Sequence, residues 1–341
     1  MSLEDAIKAQ AHGLGFDLVG ITRAGPAETA DHFDRWLAAG RAGVMEYLSK
    51  KADLRRDTRL PYEGVTSAVV VALDYGGKEP AGPVARYARG DDYHELMWAR
   101  LNTLQAWIGE KVGREVRGRG FVDTGPILER DLARRAGLGW FGKNTNLVNP
   151  EIGSFFFIGA LLLELDLAPD APFEHDRCGN CTRCLDACPT SAFVAPRELD
   201  ATRCISYLTI EQRGAIPETL REATGGNIYG CDICQDVCPW NVRFSSELRE
   251  SAFASRSIID SKDPRGLARD ILALDDEGYR QAFRGSAMKR AKLSGLKRNA
   301  AVVLGNVGNT DDADLLRDVA ATDELVVAEH ASWALARVTG R

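Results

Sequence analysis

The stretch that decides the fold is Cys178-x2-Cys181-x2-Cys184-x3-Cys188-Pro189, followed by Cys204 and by Cys231-x2-Cys234-x3-Cys238-Pro239. It contains all eight cysteines of the 341-residue chain. The first run has the spacing that binds [4Fe–4S] clusters in bacterial ferredoxins, where the fourth Cys ligates the neighbouring cluster. Eight thiolates with two Cys-Pro endings therefore predict two [4Fe–4S] clusters.

Other uses of these cysteines fit the pattern less well. Disulfides need an oxidising compartment, and residues 1–20 lack the basic start and apolar core of a signal peptide. Zinc binds CxxC pairs, but zinc sites rarely carry a run that ends in Cys-Pro. A radical-SAM centre is not indicated, because no Cys-x3-Cys-x2-Cys motif occurs.

The ferredoxin cross-over, if it holds, also predicts which thiolates share a cluster. A Cys-x2-Cys-x2-Cys loop wraps three corners of one cubane, and the following Cys-Pro starts a helix that points towards the neighbour. The second run has two Cys before its Cys-Pro, so Cys204 must supply the missing corner. The expected sets are Cys178, Cys181, Cys184 and Cys238 for one cluster, and Cys188, Cys204, Cys231 and Cys234 for the other. Two clusters so linked conduct electrons.

The bulk composition is that of an ordinary soluble protein, with 45% hydrophobic and 27% charged residues. A net charge of −6 gives no overall nucleic-acid signal, so any such site must be a local patch. The longest apolar run, residues 155–163, is too short to span a bilayer. We expect a cytoplasmic protein without a membrane partner.

The chain divides into three parts. Alternating strand and helix patterns make residues 1–165 an α/β or α+β domain with a layered sheet. Residues 166–245 lead into and contain the cysteine module, and residues 246–341 are helical and charged. Residues 296–309 align with residues 327–340, and this repeat of small and apolar residues suggests a HEAT-like helical pair. A plain helical cap is the alternative.

Several polar residues are candidates for chemistry. Asp123 follows a predicted strand, and a carboxylic acid in a partly apolar cleft could donate a proton near neutral pH. An Asx-turn or helix cap ahead of Pro126 is the structural alternative. Residues 136–144 form a glycine-rich loop whose backbone could approach a flat ligand, with Lys143 and Asn144 as its polar tips. Asp92-Tyr93-His94 begins like the Asp-x-His-x-x-Gly cobalamin signature, but the Gly position is Met97.

A local basic patch precedes the first repeat helix. Residues 284–298 contain no acid, and phosphate contact is the functional interpretation, with a solvated helix face as the alternative. Its cations are Arg284, Lys289, Arg290, Lys292, Lys297 and Arg298.

With these residues assembled, the chain resembles the epoxyqueuosine reductases, cobalamin-dependent iron–sulfur enzymes of queuosine synthesis in tRNA. The resemblance runs nearly end to end. It rests on both cysteine runs and on Arg86-Tyr-Ala-Arg-Gly-Asp-Asp-Tyr-His94, Val122-Asp-Thr-Gly-Pro-Ile-Leu-Glu-Arg130, Gly137-Leu-Gly-Trp-Phe-Gly-Lys-Asn144, Tyr229-Gly-Cys-Asp-Ile-Cys-Gln-Asp-Val-Cys-Pro-Trp240 and Lys289-Arg-Ala-Lys-Leu-Ser-Gly-Leu-Lys-Arg-Asn299.

The resemblance implies an α+β architecture: a reductive-dehalogenase-like cobalamin domain, a ferredoxin-like two-cluster module and a C-terminal HEAT-like domain. It implies that Asp123 is the proton donor, and we expect burial against the corrin to keep Asp123 protonated. It places cobalamin contacts at Arg86, Tyr87, Asp123, Trp140, Lys143, Asn144 and Ser154. It places contacts to the tRNA anticodon stem-loop at Lys289, Arg290, Lys292, Lys297 and Arg298.

The same resemblance implies that a flavodoxin or ferredoxin donates electrons singly and that the epoxide of the cyclopentane ring becomes the alkene of queuosine. We expect a monomer. The alternative function is a reductive-dehalogenase-like corrinoid iron–sulfur reductase of a small molecule. The basic patch and the terminal repeat argue against that alternative, because a small substrate needs neither.

Overall fold

The computed structural model describes residues 1–340. Among these residues, no helix is both long and apolar enough to cross a membrane. The N-terminal part contains α1 (Leu3–Gly13), β1 (Leu18–Arg23), α2 (Ala30–Ala38), α3 (Glu46–Ser49), α4 (Ala52–Arg55), β2 (Ser67–Asp74), α5 (Tyr93–Val112), β3 (Gly118–Val122), α6 (Glu129–Arg135), β4 (Trp140–Phe141), β5 (Leu147–Val148) and β6 (Phe156–Leu163).

The main sheet has four strands in the order β1-β2-β6-β3, and every neighbouring pair is antiparallel. The central strands β2 and β6 are runs of apolar residues because both faces of the sheet are covered. Val69 and Leu161 pair across the strands and face α1 and α5, whereas their neighbours Val70 and Ala160 face α6. This alternation follows from the period-two geometry of strands.

The predicted strands and helices of this part are all present, but they form an antiparallel sheet. Alternation along the chain also suits βαβ units, whose sites collect at the carboxyl ends of parallel strands. That rule does not apply to Asp123, because β3 pairs antiparallel with β6. β3 is an edge strand, so its outer side has no strand partner in the sheet.

The cysteine module is built from short elements. They are α7 (Arg183–Asp186), β7 (Phe193–Ala195), β8 (Glu198–Leu199), α8 (Ile205–Ile210), α9 (Glu218–Arg221), α10 (Ile233–Asp236) and α11 (Pro239–Phe244). The last two helices, α10 and α11, follow Cys231 and Cys238, respectively. Pro239 begins α11 because proline is well suited to the first helical position.

The C-terminal part contains α12 (Pro264–Ala273), α13 (Asp276–Ala282), α14 (Lys292–Val307), α15 (Ala313–Ala320) and α16 (Leu325–Thr339). The two repeat segments lie on α14 and α16, which pack closely because Gly305 leaves room for the Trp333 ring. Ala300 and Ala331 are both fully buried in the same core. A HEAT-like assignment remains a prediction from the repeat.

The hydrophobic cores cross the expected domain limits. The C-terminal core includes Tyr229 from the cysteine module and Val84 from the N-terminal part. In the other direction, Phe253 packs edge-on against Phe157 of the sheet. Short 3₁₀ helices complete the chain at Arg86–Ala88, Ala201–Arg203, Glu222–Thr224, Ser251–Phe253, Ala287–Ala291 and Thr310–Asp312.

Candidate active site

Asp123 forms a tight turn directly after β3. Its φ is 55°, in the left-handed region that side chains other than glycine rarely adopt, although Asp tolerates it better than most. The Thr124 N–H donates to the Val122 carbonyl at 2.5 Å, which closes the turn around Asp123. Unusual backbone conformations of this kind concentrate at functional sites.

The Asp123 carboxyl lies in an open cleft and is 70% exposed. The Tyr93 hydroxyl donates to Asp123 Oδ2 at 3.1 Å, and His94 Nε2 lies 3.8 Å from the same oxygen. The latter distance is too long for a hydrogen bond but short enough for an ion pair. His94 Nε2 is buried and has no hydrogen-bond partner among the described residues.

The charges in this cleft differ from the expectation that Asp123 is protonated. Burial would lower the pKa of His94, but the carboxylates Asp123 and Asp92 outweigh burial and raise it to about 9. Burial by surrounding groups would raise the pKa of Asp123, but His94 and the Tyr93 hydroxyl hold it below its ordinary value. These pKa shifts place a proton on His94 and leave Asp123 ionised at neutral pH. A protonated Asp123 was expected with a corrin buried against it, and that stays a prediction.

Glu129, a second carboxyl group, lies beside Asp123 at the start of α6. Burial, followed by the charge of Asp123, raises its pKa to about 8, so Glu129 is mostly neutral at pH 7. Its Oε1 is buried and lacks a hydrogen-bond partner among the described residues. Asp131, two residues further along α6, is also buried and accepts from the Thr29 N–H and hydroxyl.

Tyr47 on α3 joins the cleft to the basic patch. The Arg290 guanidinium lies 5.3 Å from the centre of the Tyr47 ring and pairs with Glu211 at 2.8 Å. Burial, the charge of Glu211 and the more distant charge of Asp123 raise the pKa of Tyr47 to about 12. The ring is still 45% exposed, so an aromatic surface lies between Asp123 and Arg290. No sequence motif indicated Tyr47.

A cavity of about 560 Å³ adjoins the Asp123 turn and runs along the free edge of β3. Thr124 and Pro126 line it at the turn, and Trp98, Asn102 and Gln105 line it from α5. The site therefore offers both a charged cleft and a long groove with exposed backbone, aromatic and amide groups.

The eight cysteines are all free thiols. Cys178, Cys181, Cys184 and Cys238 line one cavity of about 310 Å³. Burial, followed by the charges of Cys238, Cys178 and Cys181, raises the pKa of the Cys184 thiol to about 11. Burial, followed by the charges of Cys204, Asp232 and Cys188, raises the pKa of Cys231 to about 12, and Cys204 and Cys231 similarly raise that of Cys234. The four cysteines of the first predicted set thus line one cavity, and the division of all eight thiolates between two clusters stays a prediction.

The glycine-rich segment expected to approach a flat ligand is an ordered hairpin, formed by β4 and β5, that holds the cysteine loops. The Trp140 indole N–H donates to Cys178 Sγ at 3.4 Å. Lys143 donates to the carbonyls of Gly179 and Cys181 at 2.7 and 2.9 Å. Asn144, buried, donates to the Cys234 carbonyl at 3.3 Å. The cysteine loops thus occupy the polar groups of these three side chains, and corrin contacts for them stay a prediction.

Two further predicted cobalamin contacts also serve the cysteine module. Arg86 is buried and pairs with Asp232 at 3.0 Å and Asp236 at 2.7 Å. The buried Ser154 hydroxyl donates to the Gln235 side chain at 2.9 Å and accepts from Asn241 at the same distance. The Arg86 and Ser154 side chains are therefore buried and bonded to the cysteine module, and they offer no surface to a ligand. This contradicts the predicted cobalamin contacts.

Tyr87 occupies an intermediate position. Its ring lies between Tyr93, next to His94, and Tyr229, two residues before Cys231, with centroid distances of 6.3 Å to both. An aromatic cluster therefore separates the Asp123 cleft from the second cysteine group.

The basic patch is divided by burial. Lys289, Arg290 and Lys292 are exposed, and Lys297 is half-buried. Arg298 is 1% exposed and donates to the carbonyls of Leu208, Gln212 and Gly214. Arg298 was wrongly predicted as a tRNA contact: it cannot reach phosphate from the core.

The fold and the cysteine groups define an iron–sulfur protein. Residues 177–241 match the family model described as "4Fe-4S double cluster binding domain". Residues 55–124, which end at the Asp123 turn, match the model described as "Epoxyqueuosine reductase QueG, DUF1730".

The chain belongs to the epoxyqueuosine reductase family. It is 40% identical over 343 residues to the epoxyqueuosine reductase of Xanthomonas campestris pv. campestris, with 97% of this chain and 95% of the relative covered. It is 38% identical to that of Escherichia coli K12, with 98% and 89% covered. A crystal structure of an epoxyqueuosine reductase with an epoxyqueuosine-modified tRNA-Tyr stem loop superposes with a TM-score of 0.86 at 29% identity, covering 98% of this chain and 90% of that one.

Proposed function

We propose that this protein reduces epoxyqueuosine to queuosine at the wobble position of tRNA, using electrons that pass through two [4Fe–4S] clusters to a cobalamin. The observation that carries the proposal is the Asp123 cleft, which lies between the cysteine groups and the exposed basic patch. Tyr87 and Tyr229 connect it to the cysteines, and Tyr47 connects it to Arg290.

The reaction fixes what the cleft must supply. Conversion of an epoxide to an alkene releases the oxygen as water, which consumes two electrons and two protons. Asp123 is the most exposed carboxyl at the base of the cleft, and general acid–base groups of this kind contribute roughly 10²–10⁴ in rate. We assign Asp123 to the transfer of protons to the epoxide oxygen.

The residues of the cleft fit a corrinoid. The groove along β3 offers backbone groups of an edge strand and the Asn102 side chain, which suit the peripheral amides of a corrin ring. His94 is protonated and held by Asp92, so it is not a free imidazole ligand, which suits a cobalamin bound without a protein histidine. Bound cobalamin would supply the reductive chemistry at the epoxide carbon.

The two cysteine groups provide an ordered electron path. We assign the cluster of Cys178, Cys181, Cys184 and Cys238 as the outer one, because exposed Arg177 and Arg243 line its cavity. The cluster of Cys188, Cys204, Cys231 and Cys234 is the inner one, because Cys231 follows the Tyr229 that packs against Tyr87.

The surface over the outer cluster fits an acidic one-electron carrier such as a flavodoxin or ferredoxin. Arg183 and Arg243 are exposed there, and Val242 is 73% exposed between them and the cysteine loop. We expect the double variant Arg183→Glu/Arg243→Glu to lower turnover about tenfold at subsaturating flavodoxin. Turnover driven by dithionite should stay unchanged, and Arg317→Glu on α15 is the matched control. Equal losses with both reductants would contradict this surface.

The exposed part of the basic patch suits the anticodon stem-loop. Lys289 and Lys292 lie beside Arg290, at the mouth of the cleft defined by Tyr47. Phosphate contacts here would position the loop while the modified base enters the cleft. A small-molecule substrate would need none of these groups, so we favour tRNA over the small-molecule alternative.

The decisive experiment is anaerobic turnover of an epoxyqueuosine stem loop by cluster-loaded protein, with nucleosides identified by mass spectrometry. Queuosine should form with cobalamin and a low-potential reductant, and neither should suffice alone. No queuosine in the complete mixture would contradict the proposal. Four further statements are separate proposals. They are the domain boundaries 1–165, 166–245 and 246–341, the HEAT-like fold of the C-terminal part, the monomeric state and the cytoplasmic location.

A further inference from the structure

The reduction of one epoxide needs two protons, and an ionised Asp123 carries none. This question rests on the proposed function, because the demand for protons follows from that reaction. A neighbouring group that holds a proton within reach of Asp123 is therefore a candidate source. Two side chains beside Asp123 hold one at neutral pH, His94 and Glu129.

The geometry favours His94. Its Nδ1 is 2.6 Å from Asp92 Oδ1, and its ring stacks on Tyr93 with a centroid distance of 4.1 Å. Trp98, one turn further along α5, packs against the other part of the ring. These contacts fix the ring so that Nε2 points at Asp123 Oδ2, 3.8 Å away.

Burial separates the two members of this pair. The His94 side chain is 17% exposed, whereas that of Asp123 is 70% exposed. Asp123 thus lies between the substrate side of the cleft and a sheltered imidazole. Asp92 has two roles, since its carboxylate also caps α5 by accepting the His94 backbone N–H at 3.1 Å.

The other charged groups around the pair are few. Lys289 acts on Asp92 from the C-terminal part, and Arg130 acts on Asp123 from α6. Tyr93 donates its hydroxyl to Asp123, and the charge of Asp123 helps to raise the pKa of Glu129 to about 8, so Glu129 is mostly neutral at pH 7. No cation among these faces His94 Nε2 directly, so Asp123 is its electrostatic partner.

We propose that His94 is the residue that supplies protons to Asp123, so that Asp92, His94 and Asp123 form a proton relay to the epoxide oxygen. In each transfer the N–H bond at His94 Nε2 breaks and an O–H bond forms on Asp123. Asp123 then passes that proton to the oxygen of the opening epoxide. His94 regains a proton from water, and a second transfer completes the release of the oxygen as water. The two electrons come from the one-electron donor through the clusters.

The relay predicts a pH dependence whose sign follows from the raised pKa of His94. The proton is present below about pH 9 and is lost above it, so the single-turnover rate should fall on the alkaline side near pH 9. In His94→Gln this alkaline limb should disappear and the rate should drop about 10²-fold. The affinity for the stem loop should change less than about threefold, because His94 does not touch the substrate.

Two further variants keep the test decisive. Asp92→Asn retains the helix cap, because Asn caps as well as Asp, but removes the charge that raises the pKa of His94. Its alkaline limb should move from near pH 9 towards the ordinary histidine value. His32→Gln, an exposed histidine on α2, is the control and should leave the profile unchanged.

A readout independent of turnover uses ¹⁵N-histidine NMR of the cluster-loaded, cobalamin-free protein, since the chain has five histidines. The resonance lost in His94→Gln should titrate near pH 9. Titration at or below the ordinary value, or an alkaline limb that persists in His94→Gln and vanishes in Glu129→Gln, would overturn the relay. If the wild-type protein makes no queuosine at all, the proposed function fails instead, whatever the NMR shows.

Discussion

The Asp123 cleft and the cysteine module handle polar groups in opposite ways. Around the cysteines several polar side chains are committed: Lys143, Asn144 and Arg86 all bond to the cysteine loops or their flanking helices. In the cleft, Glu129 and His94 keep buried polar atoms without hydrogen-bond partners among the described residues. A module that transfers electrons must hold its clusters rigidly, whereas an active site must keep polar groups available for a ligand.

The largest effect is expected from a substitution that removes a cluster ligand and leaves the Asp123 cleft unchanged. Cys204→Ala should lower the iron content from about eight to about four per chain, because one cluster loses a ligand and the other keeps all four. Turnover should be abolished, since electrons cannot reach the cleft. Iron analysis with anaerobic turnover measures this. Loss of all the iron, or of none, would contradict the assignment of Cys204 to one of two clusters.

A smaller effect tests to which region Arg86 belongs. In Arg86→Met the buried Asp232 loses its partner, which should cost about 3–5 kcal/mol of stability. Thermal unfolding of cluster-loaded protein should show the loss, while the cobalamin Kd of the folded fraction stays the same. Weaker cobalamin binding at unchanged stability would return Arg86 to the cofactor site.

The smallest effect separates the exposed and buried parts of the basic patch. Lys289→Ala/Lys292→Ala should weaken stem-loop binding several-fold, and the slope of log K against log salt should shrink by roughly one per lysine. Arg298→Met is the matched comparison, because it removes a buried cation of the same segment. It should lower stability by roughly 3 kcal/mol and leave the salt slope of the folded protein unchanged. A reduced slope in Arg298→Met would contradict the division.

The two regions also differ in how far the sequence predicts them. Cysteine spacing reports directly on ligand geometry, and the four thiols of the first predicted set line one cavity in the structure. The strands and helices of residues 1–165 were predicted correctly as elements. Their antiparallel pairing was not, because alternating strands and helices are compatible with either arrangement.

Residue roles in the cleft were harder to predict because they depend on contacts between distant segments. The family resemblance points to Trp140 and Ser154 but does not show whether their side chains face a corrin or a cysteine loop. Arg298 belongs to a basic run by composition, and only packing reveals that it caps three core carbonyls. The charge of Asp123 depends on His94, 29 positions earlier in the chain, so the sequence alone suggested a protonated acid.

The account depends most on Asp123 as the group that transfers protons in the cleft. The direct test is anaerobic single turnover of an epoxyqueuosine stem loop by wild-type and Asp123→Asn proteins, both loaded with clusters and cobalamin to equal absorbance. We predict that the variant forms queuosine at least about 10²-fold more slowly while its iron content and stem-loop affinity match the wild type. Equal rates in the two proteins would contradict the assignment.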